Sequence, residues 1–346
     1  MLLDGIFVSL TTPFYRDGRL YVRKVEHNVD RFSKTPAAGM IALGPGSEAS
    51  ALSDEETREV LHAVAETAAK DKVLIAGVSR ESVRGSLAVA EAAAVEGFDA
   101  VLAGVPACCE RNAEEARTYF GALADASPLP VILLSGHGLA ALPVDWLAEL
   151  ALHPNVIGMI DERLSVERYE ELKAATSGVS REVVVTQVFA AVTGRMLAVE
   201  STGAATFVSA ETLGSGSAVA VAPPQPALKT RTKVVGFQVL GGGSVEMVPL
   251  LAAGVAGVVP ALAACAPQAC HEVYAAWKDG DPKLSAEKAE RISAATRLLH
   301  DELGVAGFKY ACDLNGYYGG APRLPRLPLD GNGRARVDEA MREIRN

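Results

Sequence analysis

The sequence predicts an α/β fold in which eight parallel strands and their helices close into a (β/α)8 TIM barrel. Eight short β-rich apolar runs alternate with amphipathic helical segments along the chain. Strands that are apolar almost throughout are typical of a parallel sheet covered by helices. A doubly wound open sheet is the alternative, and it is disfavoured because no G-x-G-x-x-G follows the first strand, where the chain reads SLTTPFYRDG.

The predicted elements follow one another in a regular order. The strands cover residues 5–14, 39–46, 72–79, 99–106, 130–136, 155–161, 234–242 and 254–262. Helix signals stand between them: Ser53 with Glu56 three residues later forms a capping box, and Gly97 is a helix-stop glycine. Pro143 and Pro154 bracket the fifth helix.

Two regions fall outside the eight repeats. Residues 178–232 are rich in β-branched residues, Gly, Ser and Pro, and they predict a β-rich insertion between the sixth helix and the seventh strand. Further helical segments after the eighth strand predict a C-terminal helical annex. We therefore divide the chain into a barrel, residues 1–265 with the insertion inside it, and C-terminal helices, residues 266–346. The insertion is expected on the barrel face opposite the usual active site, where it would build an interface more readily than a lid.

Composition narrows the class of protein. The chain has 346 residues, a net charge of −9 and no clustered basic face, which disfavours nucleic acid as a partner. The start, MLLDGIFVSL, lacks the pattern of a signal peptide, and no apolar stretch is long enough to predict a membrane span, so a cytoplasmic location is expected. Five cysteines without a C-x-x-C pair, and six histidines without an H-x-x-x-H pair, predict neither a structural metal site nor a disulfide framework. No cofactor is expected.

An ordered series of motifs carries a family resemblance over nearly the whole chain outside the insertion. The series includes TTPF (11–14), GPGSEASALSDEE (44–56), NVIGMID (155–161), FQVLGGGSVEMVPLL (237–251) and GFKYACDLNGYYGG (307–320). Together these motifs resemble the dihydrodipicolinate synthase / N-acetylneuraminate lyase superfamily. The resemblance implies a site at the C-terminal mouth of the barrel, a small carboxylate metabolite as partner, and a homodimer or homotetramer.

The resemblance also implies a mechanism whose residues are altered here. In the family, a lysine on the sixth strand forms a Schiff base with a 2-oxo acid, a tyrosine at the end of the fifth strand relays protons, and a loop after the second strand holds the carboxylate. The lysine position is Ile160 and the tyrosine position is Leu134, and neither side chain exchanges protons. Pro45 has no N–H and Gly46 has no hydroxyl, which weakens the carboxylate loop. A substitute amine would have to come from Lys229, Lys233 or Lys309, the interpretation we rank last.

Other polar groups are candidates for contacting a ligand at the mouth of the barrel. Strand alternation places Glu162 on the side of Ile160 and turns Asp161 away, so Glu162 is a candidate mouth carboxylate, with a solvated helix-start charge as the alternative. His137 follows the fifth strand and is a candidate general base or metal ligand, with an exposed loop histidine as the alternative. One thiol of Cys108–Cys109 is expected to face the pocket, and two inert thiols are the alternative to a reactive pair. The candidate ligand-binding residues are Thr12, Gly46, Ser47, Cys108, Ser135, Ile160, Gly241 and Gly242.

Two functions fit these candidates. One is a lyase-superfamily enzyme that acts on a small 2-oxo or hydroxy carboxylic acid through acid–base groups such as His137 and Glu162, without an imine. The other is a catalytically silent member that binds a metabolite or serves as a structural subunit.

Overall fold

The barrel predicted from the strand pattern is present and closed. The computed structural model describes residues 1–110, 112–136, 141–202, 228–242 and 247–344. All neighbouring barrel strands are parallel, in the spatial order β1-β10-β9-β6-β5-β4-β3-β2. These strands are β1 (Gly5–Ser9), β2 (Gly39–Ala42), β3 (Val73–Gly77), β4 (Ala100–Gly104), β5 (Val131–Ser135), β6 (Val156–Asp161), β9 (Gln238–Gly242) and β10 (Gly257–Val259).

Helices cover the outside of the barrel. They are α1 (Val22–Ser33), α2 (Asp54–Thr67), α3 (Val83–Val95), α4 (Ala113–Ala126), α5 (Val144–Ala151), α6 (Val166–Ala175) and α8 (Met247–Ala253). The capping box predicted for α2 is confirmed: the Ser53 hydroxyl accepts a hydrogen bond from the Glu56 N–H, and the Glu56 carboxylate accepts one from the Ser53 N–H. Such a cap satisfies two backbone donors that a helix start leaves without partners.

Two hydrophobic cores result from this layering. The larger lies between the strands and the surrounding helices. The smaller fills the barrel interior and includes Phe7, Ile75, Leu134, Ile160 and Leu240. Successive side chains of each parallel strand point alternately into the two cores. Both faces of the strand are therefore apolar, which explains the near-continuous apolar runs in the sequence.

The insertion forms its own small sheet and leaves the barrel intact. Strand β7 (Arg181–Thr186) pairs in antiparallel register with β8 (Thr230–Val235), and α7 (Gly194–Thr202) follows β7. Val183 and Val185 pack on Leu2, just before β1, so the pair lies at the N-terminal end of the barrel. The predicted seventh strand, 234–242, was wrong at its start, because residues up to Val235 find an antiparallel partner in β7 and the barrel strand begins only at Gln238.

The C-terminal annex consists of α9 (Pro267–Lys278), α10 (Pro282–Arg297), α11 (Gly304–Leu314) and α12 (Gly331–Ala340). A π-helical turn, Leu298–Leu303, joins α10 to α11. Gly304 follows it with φ 56° and ψ −143°, a conformation that only glycine adopts at low cost, so the two helices change direction there. None of the helices in the described residues is long and apolar enough to cross a bilayer.

Candidate functional site

The floor of the barrel mouth is aliphatic. Leu134 on β5, Ile160 on β6 and Leu240 on β9 stand side by side in the sheet register. Ile160 is 1% exposed and Leu134 is 8% exposed, and all three belong to the interior core. The two positions at which the resemblance expects a lysine and a tyrosine are therefore occupied by side chains that pack as core residues.

A cavity of about 190 Å³ opens above Ile160. Apolar side chains make most of its wall, and residues from the C-terminal annex complete it. The lining residues are Ser9, Thr11, Ile41, Pro45, Gly46, Ile160, Glu162, Gly242, Val259, Ala261, Ala264, His300, Gly304, Val305 and Phe308. We call this space the mouth cavity. A cavity with an apolar wall and a few polar groups is typical of small-molecule sites.

Glu162 and His300 are the acidic and basic side chains of the mouth cavity. Among the described residues that line it, they are the only ones with an acidic or basic side chain, and none is a lysine or an arginine. A Cβ added to Gly242 would lie 2.8 Å from the Cα of Glu162, so the glycine is what permits β6 and β9 to approach here. Asp161 points away, as predicted, and pairs with Arg168 at 2.7 Å between Oδ2 and Nε.

Ser9 and Thr11 line the cavity from the end of β1. The Ser9 hydroxyl donates a hydrogen bond of 2.6 Å to the carbonyl of Pro45 and so holds the loop after β2. The Thr11 hydroxyl lies 3.9 Å from the Cys312 Sγ on α11. Each hydroxyl oxygen keeps lone pairs for a ligand, but both groups already serve to join β1 to its neighbours.

The loop after β2 ends in a buried ion cluster. Glu48 has φ 59°, and its Oε1 lies 2.5 Å from the Lys309 ammonium, with both side chains fully buried. Within the described part of the chain that oxygen makes no hydrogen bond of standard geometry, so the ammonium balances its charge. The other oxygen accepts a hydrogen bond from the Arg323 N–H, and the Arg323 guanidinium forms two 2.6 Å hydrogen bonds with Glu56.

Both cations of this cluster contact the ring of Phe14. The Lys309 Nζ is 4.4 Å from the ring centroid and the Arg323 Cζ is 4.2 Å from it. Burial lowers the pKa of Lys309, and the Glu48 carboxylate opposes that change. Because the ammonium is committed to Glu48 and to the Ala321 carbonyl, Lys309 braces the loop and lies outside the mouth cavity.

A second cavity of about 240 Å³ lies on the other side of the loop. It shares Pro45, Gly46 and Val305 with the mouth cavity, and its wall includes Leu134, Ser79 and the exposed Arg326. We call it the side cavity.

The predicted ligand residues divide into two groups. Gly46, Ile160, Glu162 and Gly242 line the mouth cavity together, whereas Thr12, Ser47, Cys108, Ser135 and Gly241 line neither cavity. His137 lies outside the described residues. Sequence reasoning missed Ser9, Thr11, His300 and Phe308, and only the TTPF and GFKYACDL motifs around two of them carried a signal.

The residues outside the cavities have other partners. Ser47 is buried and donates to the Gly44 carbonyl, while the Ser135 hydroxyl accepts from the Leu142 N–H. Thr12 is 3% exposed and faces the helices around the barrel. A Cβ on Gly241 would meet Leu250 at 2.7 Å, so this glycine is required by packing against α8.

Cys108 does not face the mouth, contrary to expectation. It is exposed, its backbone N–H donates to the Glu81 carboxylate, and its Sγ lies 3.5 Å from that of Cys109. The hydrogen bond with Cys109 raises the pKa of Cys108 to about 11. The thiol therefore stays protonated at neutral pH and is a poor nucleophile, because the thiolate is the reactive form.

Comparisons with known proteins agree with the fold described above. The family model described as the dihydrodipicolinate synthetase family matches residues 2–213 and 226–344. The 4-hydroxy-tetrahydrodipicolinate synthase of Acidiphilium cryptum is 25% identical over 342 residues, which cover 98% of this chain and 98% of the relative. That of Neisseria meningitidis serogroup B is 24% identical over 343 residues, covering 99% and 98%.

Solved structures share the fold at lower identity. Dihydrodipicolinate synthase from Bacillus anthracis superposes with a TM-score of 0.78 at 20% identity and covers 100% of each chain. A prophage protein of E. coli K12 from the dihydrodipicolinic acid synthase family, solved in complex with pyruvate, gives 0.77 at 21% identity and covers 99% of each chain. The closed barrel, its annex and a family model that spans most of the sequence lead to one conclusion: the chain belongs to the dihydrodipicolinate synthetase family.

Proposed function

We propose that this chain binds a small 2-oxo or hydroxy carboxylic acid at the barrel mouth and does so without forming an imine. One observation carries the proposal: the side chain that faces the mouth cavity from the end of β6 is Ile160, and no described residue lining that cavity offers an amine. An imine needs a nucleophilic amine in contact with the keto carbon, and an isoleucine supplies none.

We propose acid–base chemistry as the catalytic form of this function. Glu162 lines the cavity from the end of β6 and His300 lines it from the π-helical turn before α11. A carboxylate accepts a proton from a bound hydroxy or oxo acid, and an imidazole returns one to the same ligand, so the pair can move a proton without a covalent intermediate. His137, predicted as a base from the sequence, stays a candidate for the second role.

The aliphatic floor favours a second candidate function, that of a catalytically silent binder. Leu134, Ile160 and Leu240 neither donate nor accept protons, and they pack as part of the barrel core. A site whose floor is built this way can hold a ligand and supply little chemistry to it.

Borohydride reduction in the presence of pyruvate tests the absence of an imine. We expect mass spectrometry to find no covalent adduct on the wild-type protein, and an adduct would overturn the proposal. If an adduct does form, Lys309→Met tests whether Lys309 carries it, because this variant removes the buried amine closest to the loop.

Ligand binding and turnover separate the two candidates. Wild-type protein is screened against 2-oxo and hydroxy acids by thermal shift, and any stabilising acid is then tested for turnover. For an enzyme, Glu162→Gln or His300→Ala is expected to reduce kcat by about 10²- to 10⁴-fold, the range for lost general acid–base catalysis. His137→Ala shows whether that histidine shares the role. A ligand that stabilises every variant and is never converted supports the silent binder.

We further propose that the chain forms a homodimer or homotetramer through the insertion. Val184 on β7 is 49% exposed and Val234 on β8 is 61% exposed, on the face of the small sheet that points away from Leu2. Light scattering after gel filtration measures the mass in solution. A Val184→Glu and Val234→Lys double variant is expected to lower it, and an unchanged oligomer would place the interface elsewhere.

A further inference from the structure

We infer that Arg326 holds the carboxylate of the ligand in the side cavity while an aliphatic side chain of the same ligand fills the mouth cavity. The ligand class is then a 2-oxo or hydroxy monocarboxylic acid that carries a hydrocarbon chain. This inference rests on the proposed function and deepens it.

The two cavities meet at one edge of the loop after β2. Pro45 and Gly46 line both, and Val305 on α11 faces them from the annex. Gly46 has φ 79°, and nothing lies within 4 Å of the place where its Cβ would be, so no side chain at this position separates the two cavities. A small ligand lying across Gly46 therefore touches both spaces.

Arg326 is the cation of this pair of cavities. Among the described residues that line either one, no other is a lysine or an arginine. Its backbone N–H donates to the Arg323 carbonyl, and within the described part of the chain its guanidinium has no hydrogen bond or ion pair. A guanidinium forks onto a carboxylate with two parallel hydrogen bonds, which makes it the side chain best suited to hold one.

The segment that carries Arg326 is anchored close by. We call residues 321–329 the strap. Three residues before Arg326, the Arg323 guanidinium donates to Glu56, to the Ala51 carbonyl and to the Gly18 carbonyl. An anchored strap reduces the conformational freedom that Arg326 loses on binding, and this lowers the entropic cost of the contact.

The charges around the two cavities indicate which cavity holds the carboxylate of the ligand and which holds its hydrocarbon chain. None of the described residues that line the mouth cavity is a lysine or an arginine, so a ligand carboxylate finds a guanidinium partner only in the side cavity. Glu48 lines the side cavity, but the ammonium of Lys309 balances its charge. Pro45 has no N–H to offer, so Arg326 takes over the contact that such a loop would otherwise make.

The mouth cavity is suited to the hydrocarbon chain of the ligand. Its apolar wall comes from the barrel and from the annex alike: Ile41, Ile160, Val259, Ala261, Val305 and Phe308. Each additional methylene that leaves water in such a space is expected to tighten binding by about fourfold, until the cavity is full.

Isothermal titration calorimetry with pyruvate, 2-oxobutanoate and 2-oxopentanoate tests this assignment. For the wild-type protein we expect the affinity to rise along the series. Arg326→Gln is expected to weaken all three acids by about tenfold or more, the loss typical of a hydrogen bond to a charged group, while Arg326→Lys recovers part of it. Arg84→Gln, on an exposed arginine that lines neither cavity, is the matched control and is expected to change little.

The outcomes separate this inference from the proposed function. If the wild-type protein binds none of the three acids, both fail. If it binds them and Arg326→Gln binds them equally well, only the role of Arg326 fails. An affinity that falls from pyruvate to 2-oxopentanoate would overturn the placement of the hydrocarbon chain. Arg326 is exposed and its side chain has no partner in the described part of the chain, so its replacement leaves the fold intact.

Discussion

The mouth cavity and the ion cluster beside it share one loop and have opposite chemistry. Gly46 lines an apolar cavity, and two residues later Glu48 enters a fully buried ion pair with Lys309. The charges of this part of the molecule serve to hold the loop, α11 and the strap together. Apart from Glu48, the acidic and basic side chains among the described residues that line the two cavities are few: Glu162, His300 and, across the loop, Arg326. A charged residue near an active-site mouth is therefore not by itself evidence for catalysis.

The largest expected effect comes from placing an amine in the mouth cavity. Ile160→Lys places a lysine at the end of β6, where the aliphatic surroundings lower its pKa and leave a neutral, nucleophilic amine. We expect borohydride with pyruvate to trap a covalent adduct on this variant, measured by mass spectrometry of the peptide that contains position 160.

Val259→Lys is the matched control for that variant. Val259 lines the same cavity from β10, so its replacement adds the same amine at another wall. An adduct on both variants would show that the cavity alone directs the reaction. An adduct on neither would mean that β6 does not present position 160 to the ligand.

Breaking the ion cluster is the next largest effect. Lys309→Met leaves the Glu48 carboxylate buried with its charge unbalanced, and we expect the free energy of unfolding to fall by about 3–5 kcal/mol. Urea denaturation measures it. Glu48→Gln combined with Lys309→Met should recover part of the loss, because no unbalanced charge then remains.

An exposed pair supplies the contrast for Lys309. Lys34 on α1 pairs with Asp30 at 2.6 Å, and the two side chains are 72% and 52% exposed. Lys34→Met is expected to change stability by less than about 0.5 kcal/mol, since water already solvates both charges. Equal losses for the two variants would contradict the view that burial makes the cluster structural.

A smaller effect is expected at the cavity floor. Ile160→Val removes one methylene from a side chain that is 1% exposed, which costs about 0.5–1.5 kcal/mol in unfolding free energy. Neither residue titrates, so urea denaturation should give the same difference at every pH at which the protein is folded. A difference that changes with pH would show that the floor is coupled to a titrating group.

The smallest effect is the pH dependence of the cluster itself. Hydrogen bonds from Arg323 lower the pKa of Glu56 below its ordinary value of 4.5. A carboxyl group whose pKa falls on folding stabilises the fold above its unfolded pKa and loses that contribution as the pH falls through its folded pKa. The stability difference between wild type and Glu56→Gln should therefore be constant near neutral pH and shrink below about pH 4.5.

Much of the fold was predictable because its signals are local. The 155–161 run predicted β6, and the alternation within it correctly placed Ile160 and Glu162 on the side of the mouth and Asp161 on the other. Such signals depend only on the two-residue repeat of a strand. The boundary between β8 and β9 was not predictable in this way, because whether Val235 pairs with Arg181 or continues a barrel strand depends on a partner far away in the sequence.

The candidate site, like the fold, contains residues that local signals in the sequence predict and residues whose role those signals do not predict. Gly46, Ile160, Glu162 and Gly242 lie at or just after the ends of strands. A parallel barrel gathers these strand ends at one mouth, so the four residues could be named in advance. Ser47 and Ser135 also lie near strand ends, but their hydroxyl groups form hydrogen bonds with backbone groups of nearby loops, which residue spacing does not reveal.

By itself, the sequence determined the barrel, the family resemblance and the absence of an amine at the end of the sixth strand, because each can be inferred from short segments and their order along the chain. Only the tertiary structure decided what covers the mouth. His300, Val305, Phe308 and Arg326 come from the annex and the strap, more than a hundred residues after β6. A glycine turn at Gly304 and an ion cluster around Phe14 hold them there, and contacts between segments so far apart in the chain leave no periodic trace in the sequence.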